Sequence, residues 1–159
     1  MKKILLLPAA FLATPAAAAP VRHGAVESIT YRTGPCMGGC PIYNVSVRSD
    51  GSATFEGINF TAVRGRRDFR VTPQQYRAFA AWLAPIRPAR GSIDYNSNQL
   101  CRTMATDMPS ASVTWDDRRG AQRLNYYYGC DMERYRELSR RLSRAPDRLP
   151  IGDYIGRQR

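Results

Sequence analysis

Four cysteines constrain the fold of this chain more than any other feature of its sequence. They are Cys36, Cys40, Cys101 and Cys130. An even number of cysteines in an exported chain indicates two disulfides, and four cysteines allow three pairings. The pairing of Cys36 with Cys40 and Cys101 with Cys130 is the simplest, because each pair then lies within one half of the chain.

The N-terminus has the pattern of a cleavable signal peptide. Such a peptide directs the chain out of the cytoplasm, to a compartment where disulfides are stable. Lys2 and Lys3 form a positive start, Ile4 to Leu12 are apolar, and Ala16 to Ala19 are small. The apolar stretch is too short for a membrane anchor. We therefore expect residues 1–18 to be removed and the protein to be periplasmic or secreted.

The remaining residues, 19–159, are enough for one domain with a substantial core. Of 24 basic side chains, only Lys2 and Lys3 are lysines, so this part has 22 arginines against 13 acids, about +9. Such charge favours an anionic polymer of the cell envelope or another envelope protein as partner. The arginines are spread along the chain, as on a solvated surface, and we do not expect nucleic acid binding.

The first half of the domain reads as strands over 26–33, 41–48 and 53–57. A three-residue loop, Ser49 to Gly51, pairs Val47 with Ala53 and Val45 with Phe55, and all large apolar residues then share one face. We therefore predict this loop, with Gly51 in the left-handed conformation.

A helix is predicted to follow, and Thr72-Pro73-Gln74-Gln75 is a strong start for it. Thr72 can cap the helix, Pro73 suits its first turn, and Gln75 completes a capping box. Apolar residues then recur at helical spacing, at Tyr76, Phe79, Ala80 and Leu83.

In the second half we expect residues 87–110 to be irregular and a second hairpin to follow. Its four-residue loop, 117–120, pairs Val113 with Leu124. We expect Asp131 to open a second helix, with Tyr135, Leu138 and Leu142 as its buried stripe.

The two halves therefore echo each other as a weak ββα internal repeat. A strand pair followed by a helix occurs twice, and the helices share Tyr76-Arg77 and Tyr135-Arg136. We predict a two-layer α+β domain, in which both helices cover one face of a largely antiparallel sheet.

One segment carries a pattern of known type: Cys36-x-Gly38-x-Cys40-Pro41-x-Tyr43 between two strands, followed by Asp50-Gly51 and Phe55-x-Gly57, and later by Thr106 to Ser110. With these motifs, residues 26–145 resemble an uncharacterised family of exported bacterial proteins, domain of unknown function 6438. The resemblance implies no activity, because the family has none established. Met37 and Gly39 depart from the usual pattern, and Cys101 and Cys130 look like additions.

The Cys36–Cys40 loop is the sharpest candidate for chemistry. As a disulfide it would pin a turn between two strands. As free thiols, Cys36 and Cys40 could form a redox pair, or could bind Cu(I) with the thioether of Met37. The loop leads into a strand, so no helix N-terminus lowers a thiol pKa. We favour the structural disulfide and expect no metal or cofactor.

Three further residues are candidates for binding: Asp107, Tyr127 and Arg123. Tyr127 should point away from the core, since Tyr126 and Tyr128 share the opposite strand face. No catalytic residue is predicted, because His23 is the single histidine and a serine or cysteine triad needs one near its nucleophile. We therefore predict a non-enzymatic binding module, with a thiol redox or copper-handling protein as the alternative.

Overall fold

The computed structural model describes residues 26–156. The predicted signal peptide and His23 lie outside these residues. Seven strands form one sheet: β1 Ser28–Thr33, β2 Ile42–Arg48, β3 Ser52–Asn59, β4 Gly65–Arg70, β5 Ser92–Asp94, β6 Ser110–Asp117 and β7 Gly120–Tyr127. The helices are α1 Pro73–Leu83, α2 Arg136–Arg144 and α3 Gly152–Ile155, with 3₁₀ turns at Ala84–Ile86 and Ala145–Arg148. None of the helices in this part of the chain is long and apolar enough to cross a bilayer.

The strand order is β4-β3-β2-β1-β6-β7-β5. Every neighbouring pair is antiparallel except β5 with β7, which is parallel. The predicted α+β class with a largely antiparallel sheet is therefore confirmed. Strand β1 joins the two halves of the chain, because it pairs with β2 on one side and with β6 on the other.

The register of the first hairpin follows the prediction. Val47 lies opposite Ala53 and Val45 opposite Phe55, and Gly51 has a φ of +83°. This register places Val45, Val47 and Phe55 in the core, where none of them is exposed to solvent. A glycine is required at the turn, because few other residues adopt a positive φ without strain.

The second hairpin has the predicted register, with Val113 opposite Leu124, but a shorter loop. Pairing continues to Asp117 and Gly120, so only two residues connect the strands. The Asp117 carboxylate accepts hydrogen bonds from the backbone N–H of Arg119 at 2.7 Å and from the Arg87 guanidinium at 2.7 Å. These bonds hold the turn closed and let the strands run further than apolar alternation indicated.

The core lies against one face of the sheet. Alternate strand residues such as Tyr31, Phe55 and Val113 are buried there, and the residues between them are mostly polar and at least partly exposed. The Tyr31 hydroxyl donates to the Leu142 carbonyl at 3.0 Å and so ties the core face to α2. Trp82 joins the two longer helices, since its indole N–H donates to the Arg141 carbonyl at 2.8 Å. The two-layer detail and the repeat stay predictions.

Helix α1 starts as the sequence predicts. The Thr72 hydroxyl accepts from the Gln75 N–H at 3.1 Å, and the Gln75 side chain accepts from the Thr72 N–H at 2.8 Å. Phe79 and Leu83 are fully buried on its inner side.

The predicted start of the second helix at Asp131 is wrong. Asp131 has a φ of +34°, and α2 begins at Arg136 after a series of turns. The carboxylate of Asp131 does not cap the helix, because it accepts hydrogen bonds from the backbone N–H groups of Arg102 and Thr103 in the loop after Cys101. Leu138 and Leu142 are buried on the helix, as predicted, whereas Tyr135, predicted as part of the same stripe, lies just before the helix and is partly buried.

Two strands were not predicted from the sequence. Strand β4 contains Arg66, Arg67, Asp68 and Arg70, a composition without apolar alternation, and it forms one edge of the sheet. Strand β5 lies in the stretch 87–110 that was expected to be irregular, and it forms the other edge. Charged residues on an edge strand discourage pairing with another chain.

Candidate functional site

Both disulfides lie at one end of the sheet. This end contains the C-terminal residues of β1, β3 and β7 and the loops 34–41, 60–64, 95–109 and 128–135. We call it the disulfide end. Cys36 is bonded to Cys40 and Cys101 to Cys130, with Cα–Cα distances of 5.8 and 5.3 Å, so the simplest of the three pairings is the one formed.

The Cys36–Cys40 loop is docked onto the loop that contains Asp107. The Met37 N–H donates to the Asp107 carbonyl at 3.1 Å, while the Met37 side chain is 78% exposed. Gly38 has a φ of +115°, which gives the loop its sharp turn. Cys36 and Cys40 are partly buried beneath it.

Three non-glycine residues of the described chain have a positive φ, and all three lie at the disulfide end. They are Phe60, Asp107 and Asp131, with φ of 53°, 66° and 34°. Such residues carry conformational strain that the surrounding structure must hold, and they concentrate at functional sites. The disulfide end is therefore the candidate location of a functional site.

A groove of about 320 Å³ opens at this end on the polar face of the sheet. It runs across β1, β6, β7 and β5, whose register aligns Arg32, Ser112, Asn125 and Asp94 in one row. Its wall is completed by Tyr127 and by residues beside the row: Thr33, Gly34, Asn96, Ser110, Ala111 and Tyr126. We call this the polar groove.

Two arginines of the polar face have free guanidinium groups. Arg32 and Arg123 are exposed, and neither side chain has a hydrogen-bond or carboxylate partner among residues 26–156. Arg32 lines the groove, whereas Arg123 lies four residues before Tyr127 on the same face of β7. Free guanidinium groups bind carboxylate and phosphate oxygens through paired hydrogen bonds.

The structure brings two of the three predicted binding residues together. The Tyr127 hydroxyl accepts from the Met108 N–H at 3.1 Å and so lies beside Asp107. Tyr127 points away from the core as predicted, since Tyr126 is buried in it. The Asp107 carboxylate accepts from the Thr106 hydroxyl at 3.1 Å. Arg123 shares their face but does not line the groove.

The sequence analysis missed Arg32, Asp94 and Asn125 as groove residues. Arg32 and Asn125 each follow a core residue of a strand, so period-2 alternation was a usable signal that they face the polar side. No signal pointed to Asp94, because its strand pairs in parallel with β7 and lies in a stretch without alternation.

Asp131 anchors a second, wider cavity of about 700 Å³ beside the Cys101–Cys130 disulfide. Hydrogen bonds from the backbone N–H of Arg102, and from the side chain and backbone of Thr103, lower the pKa of Asp131 to about 2. The hydrogen-bonding capacity of the carboxylate is therefore largely taken up by groups of the protein itself. The exposed side chains of Met104 and Met132 also line this cavity.

The polar groove at the disulfide end presents several kinds of hydrogen-bonding group. Among residues 26–156 there is no cluster of three histidine, cysteine or acidic side chains that could hold a metal ion. The groove offers hydroxyl, amide, carboxylate and guanidinium groups on a firm strand framework. Such a surface can hydrogen-bond a polar, partly anionic ligand.

No curated protein and no solved structure matches this chain. The model of one family matches residues 27–146, which is most of the chain and includes all seven strands of the sheet. That family is described as a domain of unknown function, DUF6438. The chain belongs to this family of uncharacterised domains.

Proposed function

We propose that this protein is a non-enzymatic binding module of the cell envelope that holds an anionic polymer in the polar groove. The observation that carries the proposal is the free guanidinium group of Arg32 at the groove, on the same sheet face as that of Arg123. An envelope location depends on residues 1–18 acting as a signal peptide, and the two disulfides fit that compartment.

The groove chemistry favours a sugar polymer with acidic groups. Arg32 at one end of the row can pair with a carboxylate or phosphate. Ser112 and Asn125 in the middle can exchange hydrogen bonds with sugar hydroxyls, and Asp94 at the far end can accept them. The exposed length of the row lets several ligand units bind at once.

The arginines on and around α2 carry less available charge than Arg32 and Arg123. On and around α2, arginines are paired with acids: Arg136 with Glu133, Arg140 with Glu137, Arg141 with Glu137 and Arg144 with Asp147. Such pairs neutralise much of the positive charge of the helix. Arg32 and Arg123 have no such partner, so their charge is available to a ligand.

The test is binding of polygalacturonate, an acidic polysaccharide, compared with neutral dextran, measured by calorimetry at several salt concentrations. We expect Arg32→Gln with Arg123→Gln to weaken polygalacturonate binding roughly tenfold or more, since each loses a hydrogen bond to a charged group. The salt dependence should fall as well, because fewer counterions are released. The matched control is Arg77→Gln, an exposed arginine on α1, which should bind as the parent protein does.

Equal affinity for dextran and polygalacturonate would contradict the proposal. So would full binding by the double variant, because the charge would then act from elsewhere on the surface.

The thiol alternative rests on the partial exposure of the Cys36–Cys40 pair beneath a glycine-rich loop. A redox or copper function would require these cysteines as thiolates, with Met37 as a third ligand for Cu(I). Met37 is exposed and close in sequence, so the loop can present all three sulfur atoms. The stability of a variant with both cysteines replaced by serine separates this alternative from a structural role.

A further inference from the structure

Large apolar side chains are exposed mainly at the disulfide end. Of six that are well exposed among the described residues, only Val26 lies at the opposite end of the sheet; the others are Met37, Ile58, Phe60, Met104 and Met132. We call Met37, Ile58 and Phe60 the apolar tip. Their side chains are 78%, 47% and 54% exposed. None of the three lines the polar groove, so the tip is a separate surface.

The apolar tip is formed by two loops that touch. A Cβ placed on Gly39, two residues after Met37, would lie 3.8 Å from Cδ1 of Phe60. Ile58 precedes Phe60 by two residues at the end of β3. The Cys36–Cys40 loop and the loop after β3 therefore lie against each other at the disulfide end.

The loop after β3 is held in a shape that presents Phe60 to solvent. Phe60 has a φ of 53°, a strained value for an aromatic residue. The Asn59 side chain accepts from the Phe60 N–H at 3.2 Å and from the Arg64 guanidinium at 2.8 Å. Arg64 also donates to the Ile58 carbonyl at 3.0 Å. An exposed ring on a strained, hydrogen-bonded loop is poorly explained by folding stability alone.

Arg64 contacts the apolar tip through the Ile58 carbonyl, and two more arginines follow on β4. Arg64, Arg66 and Arg67 follow Phe60 within seven residues, and all three are exposed. Arg66 pairs with Asp68 at 3.0 Å, but the Arg67 guanidinium donates only to a backbone carbonyl, that of Arg66. Arginines beside protruding apolar side chains form a surface complementary to anionic headgroups above acyl chains.

We propose that the apolar tip docks this protein onto an anionic lipid surface. Phe60, Ile58 and Met37 enter the boundary between headgroups and acyl chains, and Arg67 with its neighbours contacts lipid phosphates. The inserted area is small, so the docking is weak and reversible. The molecule then stands with its disulfide end on the membrane and the groove close to the lipid surface.

The test is cosedimentation with vesicles of phosphatidylcholine containing phosphatidylglycerol, compared with phosphatidylcholine alone. The parent protein should bind the anionic vesicles several-fold more strongly. Phe60→Asn should reduce that binding about tenfold, because it removes the ring, and asparagine tolerates a positive φ, so the loop is retained. Arg67→Gln should reduce it less, by a factor that shrinks as salt is added.

Val26→Thr is the matched control, since it removes an exposed apolar side chain at the opposite end, and it should bind as the parent does. Phe60→Trp is an independent probe of insertion, and its fluorescence should shift to the blue on anionic vesicles relative to the parent protein. Full vesicle binding by Phe60→Asn, an unshifted Phe60→Trp, or equal binding to neutral vesicles would overturn the proposal. If polygalacturonate did not bind but anionic vesicles did, the proposed function of the groove would be contradicted and the membrane-docking proposal would stand.

Discussion

At the scale of single residues, the disulfide end depends on positions with an unusual backbone conformation or with no room for a side chain. A Cβ on Gly57 would collide with the carbonyl oxygen of Val63, so only glycine lets the loop bearing Phe60 fold back over β3. Phe60 and Asp107 adopt a positive φ there without being glycine. Asp131 does so too, and its carboxylate joins the segment after Cys130 to Arg102 and Thr103.

We predict that Asp131 makes the free energy of unfolding depend on pH at acidic pH. Its pKa is about 2 in the folded chain, below the ordinary value of 3.8, so ionised Asp131 favours the folded state above about pH 4. That contribution is lost as the pH falls through about 2. Asp131→Asn should therefore be less stable than the parent at pH 7 and should approach it at pH 2, measured by urea unfolding. A difference that persists unchanged at pH 2 would show that the ionised carboxylate is not the cause.

At the scale of elements, side chains from elsewhere changed what local sequence patterns indicated. Helix α2 starts five residues later than predicted because Asp131 bonds to Arg102 and Thr103 instead of capping the helix. Strand β4 forms although its own sequence lacks alternation, because the edge of β3 offers backbone hydrogen bonds. By contrast, the capping box that starts α1 is complete within four residues and could be predicted without tertiary information.

The disulfides differ in the chain length that they close, and this sets their expected effect on the free energy of unfolding. Cys101 and Cys130 are 29 residues apart, and Cys36 and Cys40 are four apart. On the chain-entropy argument, replacing Cys101 and Cys130 by serine should lower the free energy of unfolding by about 3.5 kcal/mol. Replacing Cys36 and Cys40 should lower it by about 2 kcal/mol. Denaturant unfolding of the two double variants measures both.

The same variants test the thiol alternative. If Cys36→Ser with Cys40→Ser is as stable as the parent, the bond does not act as a structural staple, and a redox or copper role for Cys36 and Cys40 gains support. If it is destabilised while polygalacturonate binding survives in the folded fraction, the pair is structural.

At the scale of the whole molecule, β1 lies in the interior of a sheet whose halves come from opposite ends of the chain. Its residues Ile29 and Tyr31 are buried, and Tyr31 also reaches α2. Strands β4 and β5 form the edges. Both proposed surfaces, the polar groove and the apolar tip, lie at the disulfide end, so the fold concentrates its exposed and strained groups there.

We expect hydrogen exchange to follow this arrangement. Amides of β1 should exchange on the order of a hundredfold more slowly than those of β4 and β5, because edge strands open without disrupting the core. Exchange measured by mass spectrometry on the oxidised protein at neutral pH reports this directly. Protection in β4 equal to that in β1 would mean that the edge is covered, for example by a second copy of the chain.

The sequence by itself left three disulfide pairings open, but it determined the α+β class, the register of both hairpins and the start of α1. Each of these depends on neighbours along the chain or on a period of alternation, as when Gly51 sets the pairing of Val45 with Phe55. Only the tertiary structure decided that β1 lies between β2 and β6, that β5 pairs with β7, and that Arg32 and Asp94 share a groove. Those contacts join residues far apart in the chain, and their formation depends on burying a shared core, which no local pattern encodes.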